Sequence, residues 1–242
     1  MKVLNQVLNF KDLKIFQDTK HFSFCLDSVL LAKFYIPKVK DKKICDFGTN
    51  NAIIPLLLSK YIRKDAKIYG IEIQKEACDI ACENILINNL SDKIEIINED
   101  IKTFVKDKNN FFDVIYCNPP FFKISKGSNL NKKSKNLIPA RHELLINLEE
   151  IIYSAKVGLK NGGRFVMVHL AERLDEIIYL LKKNNFSLKN LRFVCSKQNQ
   201  EPKKVLIDAI NDGNSGIKIL NNLYVHNDDE SYTNEVLEIF GD

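Results

Sequence analysis

The 242-residue chain is 45% hydrophobic and 28% charged with a formal net charge of +5, enough apolar content to bury one sizeable core, and its small basic excess leans towards a polyanionic partner without naming one. Its six cysteines (Cys25, Cys45, Cys78, Cys82, Cys117 and Cys195) include no CxxC pair and no zinc-finger spacing to His, which predicts reduced thiols and no metal. No apolar run approaches membrane-spanning length, and the start Met1-Lys2-Val3-Leu4-Asn5 soon turns polar with no small-residue cleavage site, which predicts a cytoplasmic protein, neither exported nor inserted.

Residues 1–41 read as an N-terminal extension that packs on a catalytic domain over 42–242, with one helix over 28–36 started by Asp27 or Ser28 as N-cap. From residue 42, short β-branched runs alternate with amphipathic stretches: strands at 43–47, 67–71 and 93–98 and helices at 53–62 and 75–89. This is the βαβα rhythm of a doubly wound parallel sheet. In 75–89, Ala77, Ile80, Ala81, Asn84, Ile85 and Asn88 share one helical face with small residues that suit close packing. A fourth strand, 111–117, ends at Asn118 because Pro119 and Pro120 forbid further ladder pairing. A helix over 147–160, a Gly162-Gly163 turn, a fifth strand over 164–169 and a helix over 171–184 follow. Residues 187–196 and 203–210, joined by a short polar segment, read as an antiparallel hairpin at one sheet edge, and 211–242 is poorly patterned.

In an open parallel sheet, ligands sit beyond the carboxyl ends of the strands near the switch point, so the strand ends carry the functional reading. The first is the tight turn Asp46-Phe47-Gly48-Thr49-Asn50-Asn51-Ala52, placed where nucleotide-binding folds bring backbone against a cofactor; otherwise Thr49 or Asn50 caps the next helix. The second is Glu72, twenty-six residues after Asp46 and placed to accept from both ribose hydroxyls of an adenosine-type cofactor, or else a surface charge. The third is Asp100-Ile101, where the carboxylate suits an adenine amine beneath an apolar neighbour, or else caps a helix. The fourth, Asn118-Pro119-Pro120-Phe121, is the specific one. An exocyclic amine on a heteroaromatic ring is a poor nucleophile because its lone pair is delocalised. The Asn118 side-chain oxygen and the Pro119 carbonyl can each take one amine hydrogen and aim the lone pair at an electrophilic methyl group, while Phe121 stacks on the base.

With these residues the chain resembles the class I S-adenosylmethionine-dependent methyltransferases of the N(6)-adenine type, and more narrowly the bacterial tRNA(Val) adenine-N(6) methyltransferase family, which modifies the adenine just 3′ of the anticodon. The similarity runs from Phe16 to about Ile210 and also takes in Leu26-Asp27-Ser28-Val29-Leu30-Leu31-Ala32, Ile53-Ile54-Pro55-Leu56-Leu57-Leu58 and Ala140-Arg141-His142-Glu143. It implies a Rossmann-like α/β fold with a mostly parallel seven-stranded sheet, helices on both faces and an antiparallel C-terminal hairpin. It implies S-adenosylmethionine as cofactor, held by Asp27, Asp46, Gly48, Thr49, Glu72, Ile73, Asp100, Ile101 and Asn118, with Asn118, Pro119 and Phe121 catalytic. A tRNA partner would meet Phe121, Phe122, Lys132, Lys133, Lys135 and Arg141, acting on a monomer. One departure stands out: relatives carry glycines in the first turn where this chain has Asn50 and Ala52, whose side chains crowd the methionine end of the cofactor and disfavour positive φ.

Residues 122–142 hold Lys123, Lys126, Lys132, Lys133, Lys135 and Arg141 without one acid, directly after the catalytic motif. Such a loop would touch phosphates around a flipped base, or else is a solvated insertion in a chain whose Lys and Asn content follows A·T-rich codons. Asn-Pro-Pro-aromatic also suits a protein glutamine amide, a guanine amine in rRNA or adenine in DNA, and a degenerate first turn suits an RNA-binding relative that lost its cofactor. A nicotinamide oxidoreductase is disfavoured because no GxGxxG is present. His169 ends a strand and His21, His142 and His226 are isolated, so each reads as structural or exposed.

Overall fold

The computed structural model describes residues 2–18, 25–121 and 147–241. It opens with an antiparallel hairpin, β1 (Lys2–Val7) and β2 (Phe10–Asp18), followed by α1 (Leu26–Phe34). The alternating units are β3 (Lys43–Phe47), α2 (Ile53–Leu58), β4 (Lys67–Glu72), α3 (Lys75–Ile87), β5 (Ile94–Asn98), α4 (Ile101–Phe104), β6 (Phe112–Cys117), α5 (Leu148–Gly158) and β7 (Leu159–Leu170). A 3-10 turn, Ala171–Arg173, leads into α6 (Leu174–Lys183), then β8 (Phe186–Cys195), β9 (Pro202–Asn211), β10 (Lys218–Ile219), β11 (Leu223–Tyr224) and α7 (Asn234–Phe240).

The main sheet runs β10-β8-β9-β7-β6-β3-β4-β5, with β11 also on β8. Strands β3 to β7 are parallel, and β9 is antiparallel to both β7 and β8. The seven expected strands are present and the two-residue β10 and β11 extend the edge, so the C-terminal hairpin lies inside the sheet rather than at its rim. The strand interiors are apolar on both sides, as a covered parallel sheet requires. Ile44, Val114, Val166 and Leu206 face a core shared with α1, α2, α3, α7 and the N-terminal hairpin. Their neighbours Cys45, Ile115, Phe165 and Ile207 face a second core under α5 and α6.

Four local expectations change. The first 41 residues hold a hairpin besides the helix, because Val7, Leu13 and Ile15 bury one edge-like stripe amid Lys and Asn. Helix α1 begins earlier than expected, and neither Asp27 nor Ser28 caps it: Cys25 is the N-cap residue and makes no side-chain cap bond. The Gly162-Gly163 turn is a bulge inside β7, with Phe112 opposite Leu159 and Val114 already opposite Arg164. The C-terminal stretch, weakly patterned in sequence, closes with α7 against the core through Val236 and Phe240.

Candidate functional site

Chain order runs outward from β3 to β4 and β5, then returns to β6 on the other side of β3, so the crevice beyond β3 and β6 is the topological switch point. Register puts Phe47 opposite Cys117, which sets Gly48 and Asn118 side by side at the mouth of that crevice. The ends of β4 and β5 flank them: Glu99 N–H donates to the Glu72 carbonyl at 3.1 Å, holding Glu72, Ile73 and Asp100 in one rim.

The first turn is tied down by backbone. Gly48 (φ +69°) and Thr49 both donate to the Ile71 carbonyl, at 2.9 and 3.0 Å. A Cβ on Gly48 would meet nothing within 4 Å, so the backbone lies open towards the crevice; a Cβ on Gly70 would strike Thr49 Oγ1 at 2.9 Å, so glycine there makes room for the turn. Thr49 does not cap α2; its hydroxyl donates to Asp46 Oδ2 at 2.7 Å. Glu72 is buried rather than a surface charge, and its two oxygens accept from Asn50 N–H and Gln74 N–H, each at 2.9 Å. Asp46 is also buried, and that desolvation pushes its carboxyl up to about 8, against the Thr49 hydrogen bond and with the neighbouring Glu72 charge adding to the rise.

This arrangement fits a cationic adenosine-type cofactor. Asp46 Oδ1 is buried and has no hydrogen-bond partner among the described residues. A buried carboxylate with a vacant lone pair beside a second carboxylate is costly unless a donor or cation meets it. Glu72 keeps lone pairs for hydroxyl donors after its two N–H bonds, and the exposed Ile73 side chain stands beside it. Asp100 does cap α4, through Lys102 N–H at 2.8 Å, and its other oxygen lies 3.7 Å from Lys102 Nζ. The capping role and a cofactor contact are not exclusive for a carboxylate with two oxygens.

Asn50 and Ala52 adopt the left-handed region a glycine turn would use, at φ 50° and 65°. The turn is held there by the Asn50–Glu72 bond, by Ala52 N–H on the Thr49 carbonyl at 2.8 Å, and by Asn84 Nδ2 on the Asn51 carbonyl at 2.9 Å. L-residues held in this region store roughly 1–2 kcal/mol each, Asn somewhat less. Replacing both with glycine is therefore expected to raise the unfolding midpoint and tighten binding of the adenosine-type cofactor, the first read by thermal melting and the second by calorimetry. Unchanged or weaker binding in the double variant would mean that the side chains do not crowd the cofactor.

On the other side of the crevice, Asn118 Nδ2 donates to Ser28 Oγ at 2.8 Å and lies 3.4 Å from Cys25 Sγ. Oδ1 accepts nothing from a described residue. Pro119 is buried and Phe121 half-buried. The Phe121 ring stands edge-on to His169 at 5.4 Å, and the Lys204 ammonium lies over it at 3.3 Å from the centroid. Lys204 is held in turn by Asp27 at 2.9 Å. Burial first, and the Arg173 charge second, depress His169 to about 4, so it is a neutral edge at pH 7. Asp27 therefore sits with the Phe121 side of the crevice through Lys204. Ser28, Cys25, Asn84, His169 and Lys204 were given no site role in the sequence reading: Ser28 was read as a helix cap, Asn84 as a packing position and His169 as structural or exposed, and Cys25 and Lys204 carried no signal. The expected contacts Phe122, Lys132, Lys133, Lys135 and Arg141 lie outside the described residues. Among the described residues no group of three His, Cys, Asp or Glu could hold a metal ion, and no helix is long and apolar enough to cross a membrane.

Residues 38–224 match the family model for a methyltransferase domain. A tRNA1(Val) (adenine(37)-N6)-methyltransferase of Phocaeicola vulgatus is 28% identical over 203 residues, 84% of this chain and 83% of the relative. One of Porphyromonas gingivalis is 31% identical over 164 residues, 66% of this chain and 62% of the relative. Among solved structures, a ribosomal protein L11 methylase of Lactobacillus delbrueckii superposes with a TM-score of 0.58 at 17% identity, covering 83% of this chain and 84% of that one. A SAM dependent methyltransferase of Aquifex aeolicus does so with a TM-score of 0.52 at 14% identity, covering 78% and 100%. At such identities the structures speak for the fold.

Proposed function

Because the chain belongs to the methyltransferase-domain family, we propose that it transfers a methyl group from S-adenosylmethionine to the N(6) amine of an adenine in tRNA, the one just 3′ of the anticodon in tRNA(Val). The observation that carries this reading is the Asn118 amide, held by its nitrogen end beside the cofactor turn with its oxygen unengaged by described residues. The names of the relatives supply the tRNA and the adenine.

In this reading Glu72 would take the ribose hydroxyls, Asp46 would meet the cofactor's positive end beside Gly48 and Thr49, and Ile73, Asp100 and Ile101 would line the adenine. Bound S-adenosylmethionine supplies an electrophilic methyl on a sulfonium. Asn118 Oδ1 and the Pro119 carbonyl accept the two hydrogens of the target amine, which turns its lone pair out of conjugation and towards the donor. Phe121 stacks on the extruded base once Lys204, which Asp27 holds, moves off its face. Asp27 sits on the target side of the crevice through its hold on Lys204. An adenine in a single-stranded loop is already partly unstacked, so extruding it costs less than flipping a paired base. The protein acts as a cytoplasmic monomer.

The direct test is mass spectrometry of tRNA nucleosides after incubation with protein and isotope-labelled cofactor. N(6)-methyladenine at the position 3′ of the anticodon is expected, and equal methylation of duplex DNA would overturn the RNA assignment. A second measurement addresses the basic stretch after Phe121, to which Phe122 and Arg141 also belong. Neutralising Lys132, Lys133 and Lys135 together should weaken tRNA binding and lower the slope of log affinity against log salt by roughly 2–3, without changing which adenine is modified. Parallel slopes for wild type and triple variant would show that these lysines do not touch RNA.

A further inference from the structure

A primary amide has an oxygen end and a nitrogen end of nearly equal size, and only the oxygen can accept a hydrogen from a target amine. Turned by half a rotation, Asn118 would present donors to a donor and oppose the geometry that transfer needs. Something must choose the end. Nδ2 lies 2.8 Å from Ser28 Oγ and 3.4 Å from Cys25 Sγ, and those two atoms are 3.7 Å apart. With the Ser28 hydroxyl hydrogen directed at Cys25 Sγ, the Oγ lone pairs are turned to Nδ2, and the amide oxygen is left facing the crevice.

We propose that Ser28 is the positioning residue that fixes which end of the Asn118 amide meets the target amine. The proposal rests on the adenine-amine reading above and adds to it a residue ninety positions away in the chain. Ser28 is buried in the first turn of α1, its N–H on the Cys25 carbonyl at 3.2 Å, and the next residues Val29, Leu30 and Leu31 are packed in the core shared with β3 and β6. Asn118 follows β6, whose Ile115, Tyr116 and Cys117 are buried. The bond therefore joins two rigid elements, so the amide is set before a substrate arrives and no reorganisation is left for the reacting complex. Ser28 touches neither methyl donor nor base in this arrangement; it acts through Asn118.

The test compares Ser28→Ala with Ser28→Thr. The alanine variant is expected to lose kcat by roughly 10–100-fold, the scale of a misdirected catalytic group, with tRNA KM, cofactor affinity and melting midpoint near wild type. The threonine variant keeps an Oγ and should recover kcat to within about threefold of wild type. A readout independent of substrate is the side-chain amide signal of Asn118 in protein labelled with 15N-asparagine, identified by its absence in Asn118→Ala. It should move in Ser28→Ala and hold its place in Ser28→Thr. Wild-type kcat in Ser28→Ala, equal impairment of both variants, or an unmoved amide signal would each overturn the positioning role. Full turnover in Asn118→Ala would instead defeat the adenine-amine reading, and the positioning role with it.

Discussion

Replacing Asn118 with alanine is expected to abolish methyl transfer, lowering kcat by about 10³-fold, because on the proposed reading the variant removes one of the two acceptors, Asn118 Oδ1 and the Pro119 carbonyl, assigned to draw the amine's lone pair out of conjugation. The Pro119 carbonyl alone would hold one amine hydrogen and leave the group free to rotate about that bond. Cofactor binding should survive, since Asp46, Glu72 and the turn at Gly48 are untouched and lie on β3 and β4 rather than β6. The fold should survive as well, because Asn118 is only half-buried and its amide nitrogen meets no more than the Ser28 and Cys25 side chains among the described residues. Single-turnover rates with calorimetry of S-adenosylmethionine on the same sample separate the two effects. Wild-type turnover would remove Asn118 from catalysis.

Asp46→Asn is expected to act in opposite directions on stability and on binding. In the folded protein without cofactor, the Asp46 carboxyl is raised from 3.8 to about 8, chiefly by burial. The native state therefore keeps a proton that the unfolded chain has released. Its contribution to stability is fully present below about pH 4 and is lost as pH rises towards about 8, at about 1.4 kcal/mol per pH unit, or on the order of 4 kcal/mol by pH 7. Asparagine carries no such titration and can still accept from Thr49 Oγ1. The variant should melt higher than wild type at pH 8 without cofactor, by several degrees, and show a flatter midpoint between pH 5 and 8. It should also bind S-adenosylmethionine at least roughly tenfold more weakly, since the charge that would meet the cofactor's positive end is gone. Melting curves across pH with and without cofactor measure both effects. Parallel pH profiles for wild type and variant would show that Asp46 is not the buried acid that opposes folding, and unchanged affinity would remove it from the cofactor site.

The sequence by itself was enough for the architecture and for the four strand ends. Strands buried on both faces read as continuous apolar runs, the stretch 75–89 repeats small and apolar residues at three and four, and the two prolines after Asn118 end a strand wherever the chain is placed, all of which are local consequences of backbone geometry. Asp46, Glu72, Asp100 and Asn118 were legible as candidates because each lies at or just beyond the carboxyl end of its own strand. The bond between Ser28 and Asn118, the Asp27–Lys204 pair over Phe121 and the Asn84 amide on the Asn51 carbonyl join residues 33 to 177 positions apart. No periodicity records such pairings. The N-terminal hairpin was hidden for a related reason: its backbone at Lys14 and Phe16 is bonded by the side chains of Asn88, just past the end of α3, and Asn84 on α3, so its docking partners lie 74 and 68 residues away. Only the tertiary structure decided that Thr49 serves Asp46 rather than a helix end, and that Glu72 is buried between two backbone N–H groups, because a side chain's partner and its distance from water are properties of the packed chain and not of its neighbours in sequence.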